Sequence, residues 1–369
     1  MNVAMVIPER ESEKAISSYA MEITKNIKKQ KVNIDNVFYK AGSPLSLLKS
    51  IPKLRKYDII HLHHEYNLLG WYGTPFFLVY FLLSFLKKNA LVTMMHTVLS
   101  QNEKFLGNAL KNFLRKKLYF FQNRVIDWVS DSVIVSMQFH KDILTKEYMI
   151  NSDKIKVFPS GGPTNFKIIP KSKAKKELNL SGPVYLIIGN LVPDHGAEII
   201  IKQADKIGKT ILVVSSPHSV NDRNQKRLTN YIKHLKKIVN ENKFEKYVRF
   251  DILPINDQMP IWWKYFSAAD LVLQAYRKGI GSGIFLHAMA TKTPVVANNT
   301  EFFNEISGRF GCLRIAENEE DYPKAIKESM KPKNYTKMKK ECERYLKENG
   351  WAVISRKYKD LYNQIIKLP

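Results

Sequence analysis

The segment GIGSGIFLHAMA, Gly279 to Ala290, has the residue types of an anion-binding site at the start of a helix. Three glycines and Ser282 open a run of small and apolar residues that is typical of a helix. The first N–H groups of a helix have no intrahelical partner, and with the helix dipole they favour phosphate. The segment also carries His287 and no carboxylate. Three interpretations are open: a nucleotide site, a degenerate copy of one, and a tight packing corner.

Polar residues and glycines also gather where four predicted strands end. Ligands of parallel α/β sheets bind at the carboxyl ends of strands, so these positions are candidates for a functional site. They are His61, His63, His64 and Glu65, then His96 and Thr97, then Gly189 to Gly196, and finally Tyr276 to Gly283. His63, His64 and Glu65 are consecutive and alternate between the faces of an extended chain, so we expect no metal site there.

Short apolar segments alternate with amphipathic ones along the chain, which predicts parallel α/β layers. The first series runs from the strand NVAMVIP, Asn2 to Pro8, to KIKVFPSGGP, which ends in a turn. A charged stretch broken by Pro170 and Gly182 follows. A second series then begins with the strand PVYLIIGNL and includes ADLVLQAY, the strand before the glycine-rich helix. We therefore predict two doubly wound domains in sequence.

The composition is that of an ordinary globular protein with an unusual charge. The 369 residues are 44% apolar and 25% charged, and they suffice for two domains. Their 59 Lys and Arg against 34 Asp and Glu give a net charge of +25. A nucleic-acid surface, an anionic membrane surface and a solvated lysine-rich exterior compete as explanations. Because no nucleic-acid-binding pattern is present, we expect no nucleic-acid partner.

Cysteine usage and the N-terminal segment predict a compartment. Two cysteines, Cys312 and Cys342, make no disulfide framework, which favours a reducing environment. The segment MNVAMVIPERESEK becomes charged before the apolar core of a signal peptide develops. We therefore expect a cytoplasmic protein, with peripheral binding to the inner face of the cell membrane as an open alternative.

Two segments are candidates for contact with a membrane surface. The apolar run from Trp71 to Leu86 is shorter than the roughly 20 residues that a membrane-spanning helix needs, so a spanning helix is not expected. The segment from Lys104 to Arg124 carries basic and no acidic residues, with apolar residues at helical spacing. Such a basic amphipathic helix is typical of an anionic interface, and an ordinary helix packed on the first sheet is the alternative.

The order and spacing of six segments resemble the GT-B fold glycosyltransferases of family 4, which transfer a sugar from a nucleotide-sugar donor with retention. The segments are HLHHEYNLLG, LVTMMHTVLS, KIKVFPSGGP, GNLVPDHGAEIII, ADLVLQAYRKGIGSGIFLHAMATKTPVVANNTEFFNEI and WAVISRKYKDLY. The resemblance covers nearly the whole chain and implies two Rossmann-like domains that face each other across a cleft. It implies an acceptor domain at residues 1–165, a donor domain at 166–345 and a C-terminal helix at 346–369 that returns to the first domain.

The charged donor-site residues of that family are replaced in this chain. The two glutamates of its E-x7-E segment fall on Gly279 and His287. The arginine and lysine of its phosphate loop fall on Asn190 and His195, and PERESEK stands where a glycine-rich loop is expected. The chain resembles a branch that lacks both glutamates and starts this helix with Ser-Gly, here Ser282 and Gly283.

In such a branch, the resemblance implies that backbone N–H groups of Ser282, Gly283 and Ile284 bind the donor diphosphate. Arg277 or Lys278 would replace the missing cations, and a protonated His195 would add positive charge. Glu305 falls on a family glutamate that starts a helix beside the nucleotide. The predicted donor-binding residues are Gly189, Asn190, His195, Gly196, Arg277, Gly281, Ser282, Gly283, Ile284, His287 and Glu305.

In the first domain, His96 falls on the family's histidine that faces the cleft. We predict that it is catalytic, in contact with the donor sugar or the leaving phosphate, and a hydrogen-bonded core histidine is the alternative. His64, Glu65 and Tyr66 are the predicted acceptor-side residues.

The resemblance implies retaining transfer, without a metal or other cofactor, from a UDP- or GDP-sugar to a lipid or lipid-linked glycan at the membrane surface. The alternative is a non-catalytic, membrane-associated binding protein with a degenerate donor site. We favour activity because four loop glycines remain where the charged residues do not: Gly189, Gly196, Gly281 and Gly283. Glycines that let a backbone approach a ligand have less reason to remain in an inactive site.

Overall fold

The computed structural model of the chain describes residues 1–70, 73–85, 89–103, 105, 107–163, 166–217, 222–255, 259–277 and 281–367. The chain divides into two compact units. Unit 1 consists of Met1–Ser160 together with Trp351–Pro369, and unit 2 is Gly161–Gly350.

Unit 1 has, over its described residues, a sheet of six parallel strands in the order β2-β1-β3-β4-β5-β6. The strands are β1 (Asn2–Pro8), β2 (Asn33–Tyr39), β3 (Ile59–His64), β4 (Ala90–Met95), β5 (Ser132–Val135) and β6 (Ile155–Val157). The helices between them are α1 (Lys14–Lys28), α2 (Pro44–Leu48), α3 (Ile51–Leu54), α4 (Pro75–Ser84), α5 (Ala109–Val129) and α6 (Gln138–Tyr148). Helices on both faces bury the central strands, which explains why their sequences are almost continuously apolar.

Unit 2 repeats this plan with the order β12-β11-β10-β7-β8-β9 over the described part of the chain. Its strands are β7 (Val184–Ile188), β8 (Thr210–Ser215), β9 (Val248–Ile252), β10 (Leu271–Gln274), β11 (Val295–Asn298) and β12 (Leu313–Ala316). Its helices are α7 (Lys171–Glu177), α8 (Ala197–Ile201), α9 (Ala204–Ile207), α10 (Asp222–Glu241), α11 (Pro260–Ala268), α12 (Gly283–Ala290), α13 (Glu301–Ser307), α14 (Tyr322–Ser329) and α15 (Pro332–Asn349).

The C-terminal helix α16 (Trp351–Ile366) belongs to unit 1, where it packs against α1. Its buried side chains, among them Trp351 and Tyr358, join a core cluster with the β1 residues Val3, Met5 and Ile7. Because side chains alternate along a strand, this helix covers one face of the first sheet. The predicted fold class, α/β with two doubly wound Rossmann-like domains and a C-terminal helix on the first, is confirmed.

Candidate functional site

The strand order of unit 2 places two loops at one position. Counted from β7, the order across the sheet is 3-2-1-4-5-6, so the chain reverses its direction of winding between β7 and β10. Open α/β sheets bind ligands at the carboxyl ends of the strands where the winding reverses, and the loops after these two neighbouring strands lie there. They are the two segments that the sequence marked: Gly189 to Gly196 after β7, and the residues from Ala275 to the start of α12 after β10.

The start of α12 is open to solvent. Ser282 is its N-cap residue, and the Ser282 hydroxyl accepts a hydrogen bond from the Phe285 N–H at 3.0 Å. The N–H groups of Gly283 and Ile284 lie in the first turn, where they have no partner within the helix. Gly281 and Gly283 are exposed, and a Cβ atom added to either would meet no atom of the described residues within 4 Å. A ligand can therefore approach this backbone closely.

The hydroxyl of Ser282 is engaged in a small polar network at the same place. It accepts a hydrogen bond from the side-chain amide of Gln274 at 2.8 Å and donates to the Tyr276 hydroxyl at 3.3 Å. Gln274, at the end of β10, also donates to Tyr276 at 3.1 Å. Only the backbone N–H of Ser282, and not its hydroxyl, is therefore suited to an anionic ligand.

The loop after β7, by contrast, is closed: it packs directly against other parts of the chain. Gly196 is buried with φ +60°, and a Cβ atom there would clash with the carbonyl oxygen of Ala275. Gly189 has φ +123°, and its added Cβ would lie 3.3 Å from the side chain of Ile284. These two glycines let the loop approach other parts of the chain, so packing alone accounts for them.

His195 is held within this closed loop. Its Nδ1–H donates to the carbonyl oxygen of Asn190 at 2.6 Å, and its ring stacks on Tyr276 with centroids 4.5 Å apart. Burial lowers the pKa of His195 and outweighs the opposing effects of the Asn190 carbonyl and Asp194. Burial therefore favours the neutral ring in this structure, and the added charge of a protonated His195 stays a prediction. The side chain of Asn190 is exposed.

Arg277 is already paired. Its guanidinium lies 2.5 Å from a carboxylate oxygen of Glu198 and donates to the carbonyl oxygen of Pro193 at 2.8 Å. The buried Glu198 carboxylate also accepts a hydrogen bond from the hydroxyl of Tyr231. Burial alone would raise the pKa of Glu198, but the hydrogen bonds from Tyr231 and Arg277 hold it below its usual value. The charge of Arg277 is therefore largely compensated by Glu198.

Among the remaining predicted donor-site residues, His287 and Glu305 lie within helices. On α12, His287 accepts a hydrogen bond at Nδ1 from the indole N–H of Trp262 at 3.1 Å, within a set of aromatic rings from α11. Glu305 lies within α13, which begins at Glu301, so the expectation that Glu305 starts a helix is wrong. Lys278 and Gly279 lie outside the described residues. A donor-binding role of His287 or Glu305 stays a prediction.

In unit 1, the predicted catalytic His96 directly follows β4. It is half-buried, its Nε2 lies 2.8 Å from Nδ1 of His63, and its ring meets Tyr19 edge to face at 5.8 Å. Burial lowers the pKa of His96 to about 4, so the ring is neutral near pH 7. Beside it, the Thr97 hydroxyl donates to Glu65 at 2.5 Å. The pKa of Glu65 is raised by burial despite this hydrogen bond.

Two of the three predicted acceptor-side residues are core residues. The ring of His64 is buried between Phe76, at 4.4 Å, and Tyr66, and the hydroxyl of Tyr66 bonds to the buried Asn123. An acceptor cannot contact either side chain in this structure, because both are about fully buried. The acceptor-side assignment of His64 and Tyr66 is therefore corrected, and Glu65 alone remains half-exposed.

Several residues that organise these sites could not be predicted from the sequence alone, or only in part. Gln274 could have been noticed, because an amide in the apolar strand LVLQ must be hydrogen-bonded when it is buried. Glu198, Tyr231 and Trp262 gave no local signal, because their partners are distant in the sequence. His63 was a candidate because it lies at a strand end, but its partner His96 could not be inferred from the sequence.

Comparisons with known proteins place this geometry in a wider context. No protein-family model and no curated protein sequence matches the chain. Solved structures match it over its length. Sucrose-phosphate synthase from Thermosynechococcus elongatus is 16% identical, with a TM-score of 0.74 and 100% of each chain covered. Anabaena HepE in complex with UDP-glucose is 14% identical, with a TM-score of 0.68 over 98% of this chain and 99% of that one.

A third structure is the catalytic domain of starch synthase IV from Arabidopsis thaliana bound to ADP and acarbose. It is 13% identical, with a TM-score of 0.66 and 99% of each chain covered. These full-length likenesses and the two sheets of six parallel strands show that the chain has the GT-B fold. The fold-level resemblance inferred from the sequence is confirmed. At these identities the likeness establishes the fold and not the reaction.

Proposed function

We propose that the protein is a retaining glycosyltransferase that transfers a sugar from a nucleotide-sugar donor to a lipid or lipid-linked glycan. One observation carries the donor part of the proposal: an exposed helix start with unpartnered N–H groups lies where the strand order of unit 2 reverses. The GT-B fold supports it, as do the UDP-glucose and ADP in the complexes of HepE and starch synthase IV.

The donor diphosphate would bind mainly to backbone dipoles. The N–H groups of Gly283 and Ile284 and the dipole of α12 attract phosphate without any side-chain cation. Arg277 is committed to Glu198, and burial favours a neutral His195, so neither replaces the family's arginine and lysine in full. We expect binding of the diphosphate to be sensitive to salt and weaker than binding by a paired arginine and lysine would be.

The proposed chemistry is the one that the resemblance to family 4 implies. The sugar leaves its diphosphate with retention, no metal is required, and the leaving diphosphate acts as the base towards the acceptor hydroxyl. The resemblance implies that His96, a neutral ring here, contacts the reacting sugar, and that Glu65, which accepts from Thr97, belongs to the acceptor side. Developing charge is stabilised by oriented N–H groups instead of cations.

A surface of unit 1, here called the α4–α5 surface, supports a membrane-bound acceptor. Helix α5 buries Gln122 and Asn123 and exposes large apolar side chains, which inverts the usual pattern of a surface helix. The exposed apolar residues of this surface are Leu78, Phe81, Phe85, Leu110, Phe113, Leu114, Phe121 and Trp128. Exposed Lys111 and Lys117 lie among them on α5. An apolar surface with basic neighbours fits the interface of an anionic membrane.

Within the part of the chain that the structure describes, no helix combines the length and apolarity needed to cross a membrane. From the α4–α5 surface we propose peripheral binding of a cytoplasmic protein to the inner face of the cell membrane. Anionic vesicles should co-sediment the protein, and zwitterionic ones should not. Phe113→Ser with Phe121→Ser should abolish this binding, whereas Phe38→Ser, at an exposed phenylalanine of β2, should leave it intact. Equal loss in both variants would contradict the docking surface.

A non-catalytic binding protein is the second candidate, and the ion pair of Arg277 with Glu198 favours it because it removes a cation from the donor site. A panel of UDP, GDP and ADP with their sugar conjugates separates the two. An enzyme should be stabilised thermally by the nucleotide with one of these bases. It should also hydrolyse the corresponding nucleotide-sugar or transfer its sugar. Stabilisation without turnover would favour the second candidate, and no stabilisation and no turnover with any nucleotide would contradict the enzyme and leave the protein with a degenerate donor site.

A further inference from the structure

Buried histidines connect the core of unit 1 to His96. Nδ1 of His61 lies 2.6 Å from the hydroxyl of Tyr362, and the His61 ring stacks on that of His63 with centroids 5.1 Å apart. His63 is fully buried, and its two ring nitrogens have different neighbours. Its Nδ1 lies 2.8 Å from Nε2 of His96, and its Nε2 lies 3.0 Å from the sulfur of Met5.

The thioether of Met5 fixes where the proton of His63 lies. Burial lowers the pKa of His63 well below its usual value, so the ring is neutral and carries one N–H. A thioether sulfur has no proton to donate and can only accept. A bare nitrogen facing it at 3.0 Å would set two lone pairs against each other. The favourable arrangement therefore has the proton on Nε2 of His63, directed at Met5.

The position of the proton on His63 determines the tautomer of His96. With its proton on Nε2, His63 presents a bare Nδ1 to His96. Nε2 of His96, at 2.8 Å, must then carry the proton and donate it. Since the His96 ring is also neutral near pH 7, its Nδ1 is left without a proton. Nδ1 of His96 has no hydrogen-bond partner among the described residues.

We propose that Met5 and His63 are positioning residues, which hold His96 in the Nε2–H tautomer with Nδ1 as a free hydrogen-bond acceptor. A bare nitrogen pairs with a hydroxyl group and is repelled by a phosphate oxygen, because the oxygen is itself an acceptor. His96 therefore meets a hydroxyl of a bound sugar and not the leaving phosphate. Only this last step rests on the proposed function, since the tautomer is a property of unit 1 itself.

The tautomer is measured by long-range proton–nitrogen NMR correlation on the full chain labelled with ¹⁵N-histidine. His96 is assigned through the signals that His96→Gln removes. The wild-type protein should show a protonated Nε2 and an unprotonated Nδ1 at His96. Met5→Leu removes the sulfur acceptor at similar volume, so both tautomers should then be populated and the two nitrogen shifts should move towards each other.

Met94→Leu is the matched control, because Met94 is buried in the same core cluster and accepts from the hydroxyl of Tyr358 at 3.5 Å. It should leave the His96 shifts unchanged. A second variant, His63→Leu, should release Nε2 of His96 from its acceptor and move its shift, without changing thermal stabilisation by a nucleotide. A wild-type His96 protonated on Nδ1, or unchanged shifts in Met5→Leu, would overturn the proposal.

The sugar-transfer activity and the tautomer of His96 can be contradicted by different results. Absence of sugar transfer with every donor would contradict the enzyme and leave the tautomer as measured. If transfer occurs, Met5→Leu should lower kcat several-fold with little effect on the KM for the donor, and Met94→Leu should not. Transfer with a wrong or unresponsive tautomer would refute the positioning role alone.

Discussion

The two loops at the strand reversal of unit 2 use the same residue type for different reasons. In the loop after β7, buried Gly196 is surrounded by chain, and a side chain there would clash with the carbonyl oxygen of Ala275. At the start of α12, a Cβ atom added to exposed Gly283 would have no neighbour within 4 Å in the part of the chain that the structure describes. A glycine that the fold requires is uninformative about a ligand, whereas an open glycine leaves room for one. Gly281 and Gly283, and not Gly189 and Gly196, therefore support an active site.

The largest expected effect tests the closed loop. Gly196→Ala should destabilise the protein by about 3 kcal/mol, through both the strained backbone and the clash with Ala275. Urea unfolding of the full chain measures it. Gly208→Ala is the matched control, because Gly208 has a similar φ of +64° but its added Cβ would lie 3.6 Å from its nearest neighbour. The control should lose only about 1 kcal/mol. Equal losses would show that the close approach does not matter.

A second effect tests the ion pair that ties the two loops together. Arg277→Met leaves the buried Glu198 carboxylate with Tyr231 as its other side-chain partner. We expect a loss of about 1–2 kcal/mol at pH 7, less than for a fully buried pair because Arg277 is 42% exposed. Arg227→Met is the control, since the pair of Arg227 with Asp194 is exposed on both sides and should contribute almost nothing.

The pH dependence of this pair has a definite sign. The folded-state pKa of Glu198 is below its usual value, so the pair stabilises the protein above pH 4.5, and this contribution is lost as the pH falls further. Arg277→Met removes a cause of the low pKa, so the difference in unfolding free energy between variant and wild type should shrink below pH 4.5. A difference that stays constant with pH would contradict the charge argument.

A smaller effect separates the contribution of the Ser282 cap to stability from the role of the start of α12 in nucleotide binding. Ser282→Ala should cost about 1 kcal/mol, because the Phe285 N–H loses its acceptor. Thr300→Ala is the matched control, since Thr300 caps α13 in the same way through the Phe303 N–H. Ser282→Ala should lose at least as much stability as Thr300→Ala, because the Ser282 hydroxyl also bonds to Gln274 and Tyr276. Only Ser282→Ala should weaken nucleotide binding, because the cap holds the first turn that carries the Gly283 and Ile284 N–H groups. If both weaken it equally, the start of α12 is not the donor site.

The fold was largely predictable because its central strands are buried on both faces. The strand NVAMVIP coincides with β1, and the apolar segments of β3, β4, β7 and β10 were identified within a few residues. β2 and β12 were not predicted. Both are edge strands: β2 contains Asp35 and Asn36, and β12 has only four residues with Arg314 among them. Edge strands need not be apolar on both faces, so their pattern is weak.

The candidate site was predictable in position but not in detail. Strand ends and glycines located the two loops of unit 2, since these depend on local sequence. Which residues are engaged depends on partners far away in the chain, such as Glu198 for Arg277 and Trp262 for His287. A single sequence shows neither of these partners. The alternation of His63 and His64 across the sheet was foreseen, but their partners, His96 and Phe76, could not be.

The smallest effect on stability is the most informative about function. Gly283→Ala should change the free energy of unfolding by no more than about 0.5 kcal/mol, because the added methyl group meets open space and alanine suits a first helical turn. Nucleotide affinity should nevertheless fall about tenfold, roughly 1.4 kcal/mol, since the methyl group occupies the approach of the diphosphate to the Gly283 and Ile284 N–H groups.

Gly308→Ala controls for the substitution itself, because Gly308 follows α13 with an ordinary φ of −65° and its added Cβ would make ordinary contacts. It should change neither stability nor affinity. Calorimetric titration with the nucleotide that stabilises the wild type measures both variants. If Gly283→Ala binds that nucleotide as tightly as the wild type, the open space above α12 is not used by a ligand. The contrast between the two loops would then concern packing alone, and the donor site would have to be sought elsewhere on unit 2.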